Sequence, residues 1–566
     1  NKTSLFFSLL STVLFVQANT PEGFSETRFA GYPEIKSLTG LSVSPEGVVY
    51  AAQDLNGAWG TDPHNGSITR MEDTDGDGKA DKFTKFVADI DQPRGIHFIH
   101  DTLYVINPPY LTAFKDTDND GIADQKKNLL TGIGFPLDWR GGDHTSNGVR
   151  MGADGWLYMA IGDYAIPNGK GSDGSTIQLW GGGVIRCRPD GSELEIFTSN
   201  TRNIYGVAIT PQLELFSRDN TNDGGGWNVR FHYFSQFMDA GYPRKYLSNP
   251  DETQAPLADY GGGSGSGMQF IQEPRIPAQW NNKVYSCDWG GTGISVHDMK
   301  RYEETYIIEQ KTFFKPNKAM DISADGDGNI YVMNWKGRNN YAYFEEERGT
   351  IFKFAPKSPA GKAFPNLKKQ SIDQLINNLN SDSENLRMTS QREIISRKAD
   401  IKTAKKLTSY VQNSSKNLYG RTSALFALKQ IFGTQAHEAL KSFTKDKDLR
   451  ENALKALTDR STQLKGLDPQ FFINFLKDPN ARVRSQAIIS LGRLKAPGTS
   501  QYIMALGAKP YNYKSDQLPD RAQLNPRIPH TAFRVLLELS DVPYLLSVAK
   551  TRGPKSEMAL RVLKNI

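Results

Sequence analysis

Apolar and polar residues alternate along the first 355 residues in short segments that recur at nearly constant intervals. Each unit has an apolar strand, a turn with Asp or Gly, and a second strand of aromatic and β-branched residues, as in a β-hairpin. The copies begin at Leu41, Ile96, Val149, Val207, Met268 and Ile322, with spacings of 55, 53, 58, 61 and 54 residues. Further strand candidates lie between the copies, and four strands per unit are typical of propeller blades. We therefore predict an all-β six-bladed β-propeller over residues 25–355.

The apolar period changes from two to about 3.6 after a linker at residues 356–366 that is rich in Pro, Gly and Lys. In the clearest helical unit we expect Asp478 to cap a helix. The apolar face of that helix comprises Val483, Ala487, Ile488, Leu491 and Leu494. The repeated units are marked by Arg387, Arg421, Arg450 and Arg484, spaced by 34, 29 and 34 residues. Residues 367–566 are thus predicted to be an all-α domain resembling HEAT repeats, without a polar capping helix at its end, as expected of a truncated array.

The N-terminal residues have the pattern of a secretory signal over residues 1–18. Lys2 precedes a 12-residue apolar stretch, and the small residue Ala18 ends a cleavage pattern. The alternative is a buried N-terminal helix. No other apolar stretch approaches about 18 residues, so we predict a periplasmic or secreted protein with no membrane span. The only cysteines, Cys187 and Cys287, are compatible with one disulfide between blades or with two buried thiols.

The amino-acid composition is that of a folded protein and argues against a nucleic-acid partner. The hydrophobic share of 38% is enough for buried cores, and the formal net charge is only +6. Lys and Arg are not concentrated along the predicted propeller, so a nucleic-acid partner is not expected.

Two near-identical acidic segments lie in the first two predicted blades. They contain Asp73, Asp75, Asp77 and Asp81 in one copy, and Asp116, Asp118, Asp120 and Asp124 in the other. Carboxylates at alternate positions around a central Gly can surround calcium, which prefers oxygen ligands. The twelfth position is Thr84 or Lys127 rather than Glu, so neither is a complete EF-hand loop. We predict calcium in both loops; the alternative is an acidic hairpin turn.

A histidine and an aspartate flank the inner strands of the third predicted blade. His144 precedes the first strand, and Asp163 follows the strand that pairs with it. Because residues at the start of inner strands cluster around the channel of a propeller, we expect Asp163 to contact the imidazole of His144. Such a contact would fix the tautomer and raise the basicity of a general base. The alternative is a structural histidine.

The segments HTSNGVRMGADGWLYMAIGD and TRNIYGVAITPQLELFSRDNTNDGGGWN resemble the soluble quinoprotein sugar dehydrogenases and the related aldose dehydrogenases, over roughly residues 40–355. Members of that family are six-bladed propellers that bind pyrroloquinoline quinone and calcium. The resemblance implies that His144 takes a hydroxyl proton while hydride passes to the quinone. It also implies that Asp163 orients this base and that Arg202 contacts the cofactor.

The same resemblance implies a calcium-holding loop and shows two departures. Asp219, Asn220 and Asp223 lie in the loop that helps to hold calcium near the quinone in the family. Where the family has a Lys after a strand of the fifth blade, residues 286–291 of this chain contain no cation. The family has two arginines before the inner strand of the sixth blade, and in this chain the only cation at the corresponding positions is Lys318.

The layout of signal, propeller and helical repeats is also similar to large exported dehydrogenase-like proteins of planctomycetes and verrucomicrobia, which often end in a cytochrome c domain. No Cys-x-x-Cys-His occurs in the 566 residues, so no covalent haem is expected in this chain. A redox partner such as a cytochrome c is therefore expected, as is a protein partner on the helical domain.

Three functions remain open from the sequence. The first is an oxidoreductase that acts on a sugar or sugar-derived alcohol with a quinone. The second is a non-catalytic, calcium-stabilised scaffold that binds carbohydrate through aromatic residues such as Trp59, Trp289 and Trp335. The third is a propeller hydrolase or lyase that uses the same histidine and acids. We favour the first because of the spacing of His144 and Asp163.

Overall fold

The computed structural model describes residues 20–221, 228–243, 251–291, 293–335, 349–397, 400–496, 498–509 and 527–566. The predicted signal at residues 1–18 lies outside these ranges, and so does Asp223.

The described strands assemble into six blades around a central channel, which confirms the predicted propeller. The chain begins with β1 (Phe24–Gly31), followed by the first blade, β2 (Leu38–Val43), β3 (Val49–Asp54), β4 (Gly66–Glu72) and β5 (Lys82–Ile90). The second blade comprises β6 (Ile96–Ile99), β7 (Thr102–Asn107), β8 (Tyr110–Lys115) and β9 (Gln125–Leu130). After the short helix α1 (Leu137–Arg140), the third blade region comprises β10 (Ser146–Met151), β11 (Leu157–Ile161), β12 (Ile166–Lys170), β13 (Thr176–Leu179), β14 (Gly182–Cys187) and β15 (Glu195–Thr201).

The remaining blades follow in chain order. The fourth blade region comprises β16 (Ala208–Ile209), β17 (Leu215–Thr221), β18 (Asn228–Phe234), β19 (Met238–Asp239) and β20 (Ala258–Gly262). The fifth blade comprises β21 (Gly265–Ile271), β22 (Lys283–Asp288), β23 (Gly293–Tyr302) and β24 (Thr305–Phe314). The sixth comprises β25 (Ala319–Ala324), β26 (Ile330–Asn334) and β27 (Thr350–Pro356). β12 and β13 form a separate hairpin, and β19 joins the third blade by pairing parallel to β15.

The ring is closed by strands from the two ends of the propeller. β1 is the outermost strand of the sixth blade and pairs antiparallel with β27, from Phe24 opposite Pro356 to Gly31 opposite Thr350. The inner strands, nearest the channel, are β2, β6, β10, β16, β21 and β25, and they coincide with the predicted repeats.

An ion pair that is largely shielded from solvent joins blades across the channel. Arg150 on β10 donates from Nη2 to Asp321 on β25 at 3.2 Å, and from Nη1 to the carbonyl of Ile96 at 3.0 Å. The other carboxylate oxygen of Asp321 accepts the amide of Leu41 at 3.0 Å. Burial raises the pKa of Asp321, and the positive charge of Arg150 opposes that rise. Four of the six blades are therefore held together by one pair of side chains.

The helices of the C-terminal part form stacked hairpins. They are α2 (Ile372–Asn378), α3 (Glu384–Ser396), α4 (Ile401–Gln412), α5 (Leu418–Phe432), α6 (His437–Phe443), α7 (Arg450–Leu457), α8 (Pro469–Asn474), α9 (Ala481–Leu494), α10 (Ser500–Gly507), α11 (Arg527–Leu539), α12 (Val542–Ala549) and α13 (Pro554–Asn565). Short 3₁₀ turns lie at Leu367–Lys369, Gly433–Ala436, Ser461–Gln463 and Phe475–Lys477. The odd-numbered helices from α3 to α13 pack on one another in sequence, each backed by the helix before it. The HEAT-like identity of these hairpins stays a prediction.

The predicted cap of α9 was wrong by two residues. The side chain of Asn480 accepts the amide of Arg482, so Asn480 is the N-cap. Asp478 instead accepts the amide of Asn480 at 2.8 Å and a hydrogen bond from Arg450 at 2.6 Å. Its charge therefore joins two successive hairpins rather than beginning the helix.

The helical part covers the face of the propeller formed by the turns after the inner strands. Gln391 donates to the carbonyl of Ala153 at 2.8 Å. Arg387 donates to Gln272 at 2.7 Å, and Gln212 to Thr422 at 3.0 Å. Because these contacts involve the turns of blades three, four and five, the opposite face of the propeller, where the inner strands begin, stays open.

Glu214 is the acidic centre of the contact between the two parts. Its carboxylate accepts hydrogen bonds from Arg482 of α9 at 2.8 Å, from Arg301 at 2.9 Å and from Tyr306. Burial raises the pKa of Glu214, but Arg482 and Arg301 outweigh burial and lower it below its ordinary value. The interface thus depends on a buried carboxylate that is paired in the folded protein.

The described residues bear on two further predictions, the absence of a membrane span and the state of the cysteines. Among the described residues, no helix is both long enough and apolar enough to cross a bilayer. Cys187 and Cys287 are both buried free thiols, so they do not form the disulfide that the sequence left open.

We predict that Glu214→Ala lowers the free energy of unfolding by about 1–3 kcal/mol, because Arg482 loses one of its two carboxylate partners and keeps only Glu451. Differential scanning calorimetry at pH 7 measures the change. The control is Glu438→Ala, which removes the exposed partner of Lys441 and should leave the melting temperature unchanged. Equal melting temperatures for wild type and Glu214→Ala would contradict the prediction.

Candidate active site

An open cleft of about 780 Å³ lies where the inner strands begin, on the face that the helices leave free. Residues from every blade line it, including the predicted site residues His144, Asp163, Arg202 and Lys318. The fold therefore brings four candidates, separated by up to 174 residues in sequence, to one surface.

His144 is held in a fixed orientation on the wall of this cleft. Its backbone has a φ of 53°, a left-handed conformation that is uncommon for a residue other than glycine. The Nδ1 atom forms a hydrogen bond with the carboxylate of Asp163, as expected from the sequence. The imidazole also stacks on Tyr164, with ring centroids 5.1 Å apart. These contacts leave Nε2 as the nitrogen that can accept a proton.

A second carboxylate lies on the Nε2 side of the imidazole. An oxygen of Asp143 is 4.0 Å from Nε2 of His144, which is beyond hydrogen-bond distance. The other oxygen accepts the indole N–H of Trp59 at 3.2 Å, and Trp59 belongs to the first blade. The sequence analysis did not select Asp143, although it directly precedes the histidine.

Gly162 allows the close approach that positions His144. A Cβ atom at this residue would lie 2.3 Å from the carbonyl oxygen of His144 and 2.5 Å from its carbonyl carbon. The amide of Gly162 also donates to Thr145 at 2.8 Å. Any side chain at this position would displace the backbone that carries the histidine.

Arg202 is fixed by an acid that was predicted to bind calcium. The two carboxylate oxygens of Asp219 accept the backbone amides of Arg202 and Asn203, both at 2.9 Å. Nη1 of Arg202 donates to the carbonyl of Asn220 at 3.2 Å. Burial raises the pKa of Asp219 to about 6. In this structure Asp219 orients the chain around Arg202, and its role in binding calcium stays a prediction.

Lys318 lies beside two tryptophans of the fifth and sixth blades. Its ammonium nitrogen is 3.5 Å from the ring centroid of Trp289, a cation–π contact. The ring of Trp289 is 5.6 Å from that of Trp335. Burial lowers the pKa of Lys318. The structure thus places the predicted cation and two predicted aromatic residues in one part of the cleft.

Arg94 and Tyr205 line the cleft and were missed by the sequence analysis. The hydroxyl of Tyr205 donates to the carbonyl of Thr39 at 2.6 Å, so this side chain reaches from the fourth blade to the first across the channel mouth. The guanidinium of Arg94 lies over the Tyr205 ring, 5.2 Å from its centroid. Arg94 precedes the inner strand of the second blade, as His144 does in the third. This shared position, directly before an inner strand, is the sequence feature from which Arg94 could have been predicted to line the cleft.

The two acidic loops have the same internal geometry and lie outside the cleft. The carboxylate of Asp73 accepts the amides of Gly76 and Gly78, at 2.9 and 3.0 Å. The carboxylate of Asp116 accepts the amides of Asn119 and Gly121, at 2.7 and 2.9 Å.

Each loop brings three carboxylates together, with one oxygen from each within 4.8 Å of the others. These groups comprise Asp73, Asp75 and Asp81 in the first loop, and Asp116, Asp118 and Asp120 in the second. Asp77 and Asp124 are not members of these groups; they accept the amides of Lys79 and Thr117, at 2.8 and 2.9 Å. Calcium in these loops stays a prediction.

Both loops also connect neighbouring blades. The amide of Ala80 donates to Phe29 of β1 at 2.8 Å, and that of Ala123 donates to Phe86 of β5 at 2.9 Å. An ion that stiffened these loops would therefore stabilise contacts between blades.

The model of a family described as a domain of unknown function (DUF7133) matches residues 16–306. Among solved structures, one similar chain is the aldose sugar dehydrogenase of Streptomyces coelicolor bound to pyrroloquinoline quinone (PQQ). It is 15% identical to this chain, with a TM-score of 0.42. The match covers 59% of this chain and 100% of that one. The pyranose dehydrogenase PQQ domain of Coprinopsis cinerea is 13% identical, with a TM-score of 0.40, covering 60% and 97%.

A curated relative matches a shorter part of the chain. A dihydroorotase of Acaryochloris marina is 32% identical over 115 residues, which are 20% of this chain. The chain spans only 30% of the length of that relative.

We predict that Gly162→Ala lowers the free energy of unfolding by about 1–3 kcal/mol, because the added methyl group collides with the backbone of His144. The control is Gly262→Ala in the same cleft, where no atom of the described residues lies within 4 Å of the added Cβ. Urea denaturation followed by fluorescence compares the two. The prediction is wrong if both variants are as stable as the wild type.

We predict that calcium raises the melting temperature of the chelator-treated protein. A concentration of about 100 times the dissociation constant would stabilise the folded state by about 2.7 kcal/mol. The pair of changes Asp75→Asn and Asp118→Asn should reduce this shift in calorimetry. Asp173→Asn changes a carboxylate outside the two acidic groups and should preserve it. A wild-type melting temperature that millimolar calcium does not change would contradict the prediction.

Proposed function

This chain belongs to the DUF7133 family, and we propose that it is an oxidoreductase that removes hydride from a hydroxyl-bearing carbon of a sugar or sugar-derived alcohol. The observation that supports this most directly is the contact between His144 and Asp163 on the wall of the open cleft. A fixed imidazole with a proton-accepting nitrogen can act as the general base that alcohol oxidation needs.

In the proposed step, Nε2 of His144 takes the proton of the substrate hydroxyl. The carbon loses hydride, which carries two electrons to an acceptor, and the C–O bond becomes a carbonyl. Asp163 holds the proton of Nδ1 and stabilises the imidazolium that forms. A carboxylate oxygen of Asp143 lies 4.0 Å from Nε2, on the side from which the substrate hydroxyl would approach.

The residues of the cleft fit an anionic cofactor. Arg202 and Lys318 supply positive charge at the wall of the cleft. We assign the holding of a tricarboxylic quinone to these two side chains, because its carboxylates accept hydrogen bonds from cationic donors. When bound, pyrroloquinoline quinone would supply the hydride acceptor. Trp289 and Trp335 offer aromatic faces, which suit the apolar faces of a pyranose ring.

The partners and location follow from this proposal together with the sequence. Electrons would leave to a redox partner such as a cytochrome c. The predicted signal favours a periplasmic or secreted enzyme. The calcium predicted in the acidic loops would stabilise the propeller.

We predict that His144→Gln lowers kcat for sugar oxidation by about 10²–10⁴-fold, because the base is lost. Asp163→Asn should also lower kcat, since the tautomer is no longer fixed. The assay is dye reduction with a panel of sugars in the presence of pyrroloquinoline quinone and calcium. Calorimetric titration with the quinone should give equal affinities for the wild type and both variants.

The matched control is His64→Gln, which changes an exposed histidine that does not line the cleft. This variant should be as active as the wild type. Dye reduction that survives in His144→Gln would refute the assignment of the base. Sugar binding by the wild type without any dye reduction would favour the carbohydrate-binding scaffold.

A further inference from the structure

Arg94 has a guanidinium group whose hydrogen-bonding capacity is unused within the described residues. The side chain is largely buried, with only 9% of the residue exposed, and it lines the cleft. Its Nε is buried without a hydrogen-bond partner there. Among the described residues, its guanidinium also lies over the ring of Tyr205, 5.2 Å from the ring centroid. A buried N–H group without an acceptor is costly, and the side chain lines the cleft, so a ligand that accepts hydrogen bonds from it is expected there.

The carboxylate of Asp54 interacts with the charge of Arg94 but accepts no hydrogen bond from its guanidinium. Asp54 is completely buried, and burial raises its pKa to about 6, while the charge of Arg94 lowers it. One oxygen of Asp54 accepts the amide of Asn56 at 3.0 Å, and the other is buried without a partner among the described residues. The two side chains therefore interact through charge and not through a hydrogen bond.

Arg94 differs in this respect from Arg202 and Lys318, the other two cations that line the cleft among the described residues. Arg202 donates to the carbonyl of Asn220, and Lys318 lies against the ring of Trp289. The planar fork of an arginine matches a carboxylate with two parallel hydrogen bonds.

Arg94 also lies beside the segment that carries the proposed base. A Cβ atom added to Gly142 would be 3.0 Å from Nη1 of Arg94, and Gly142 is two residues before His144. A ligand carboxylate on Arg94 would therefore be held close to the wall on which His144 lies.

We propose that Arg94 is a carboxylate-binding subsite and that the substrate of this cleft is an acidic sugar, such as a uronic acid. The proposal rests on the proposed function for the reaction, but the subsite itself does not need a cofactor. The carboxylate of the sugar binds the guanidinium, and a hydroxyl of the same ring is presented to Nε2 of His144. Arg94 is thus a substrate-binding residue that selects charged sugars over neutral ones.

The test compares two ligands that share a ring and differ in charge. Calorimetry measures the binding of D-glucuronate and of the neutral D-glucuronamide to the full chain without quinone. We expect the wild type to bind glucuronate at least tenfold more tightly, because a charge-assisted, bidentate hydrogen bond is lost with the amide. Arg94→Gln should remove this preference, and Arg94→Lys should keep part of it as a point charge. Arg28→Gln, which changes an exposed arginine on β1, should keep all of it.

Equal binding of the two ligands by the wild type, or no binding of either, would overturn the proposal. A preference that survives in Arg94→Gln would do the same. A variant that keeps the preference but loses quinone affinity would assign Arg94 to the cofactor instead. The two proposals fail separately. If the wild type prefers glucuronate in calorimetry but reduces no dye with any sugar, the carboxylate subsite is supported and the proposed oxidoreductase function is refuted.

Discussion

The arrangement of the cleft depends on the ion pair between Arg150 and Asp321, which connects inner strands of opposite blades. It connects the inner strands of blades three and six directly, and those of blades one and two through the backbone at Leu41 and Ile96. Side chains at the start of these strands form the cleft, so a shift of one strand would move its contribution relative to the others. A buried pair of this kind is a weak source of net stability but a strict geometric constraint, because either partner alone would be an uncompensated charge.

The two faces of the propeller have different roles. The turns after the inner strands are covered by the odd-numbered helices, through side-chain contacts with backbone carbonyls and through buried charges such as Glu214. The starts of the inner strands are left open and carry His144, Arg202, Lys318 and Arg94. The helical part therefore covers one face of the propeller and leaves the cleft on the other face open.

Much of the fold follows from local sequence patterns, whereas long-range pairings do not. The repeat spacing identified the inner strands, and the position of His144 and Asp163 around two paired strands predicted their contact. The closing strand β1 was not identified, since its partner β27 lies more than 300 residues away. Arg94 was missed because an Arg-Gly before a strand is common, and only the fold shows that its Nε has no hydrogen-bond partner among the described residues. The cap of α9 was misplaced because Asp478 and Asn480 are both good capping residues, and Arg450 decides between them.

The side chain of Tyr205 has a consequence for the order of events in the cleft. It crosses one mouth of the channel to reach Thr39, and helix α3 covers the turns at the other end. Among the described residues, the open face of the propeller is therefore the route by which a ligand reaches His144. Under the proposed function, the sugar and the electron acceptor would both approach from this face. If they bind to the same part of the cleft, each would inhibit binding of the other at high concentration, which is the pattern of double-displacement kinetics.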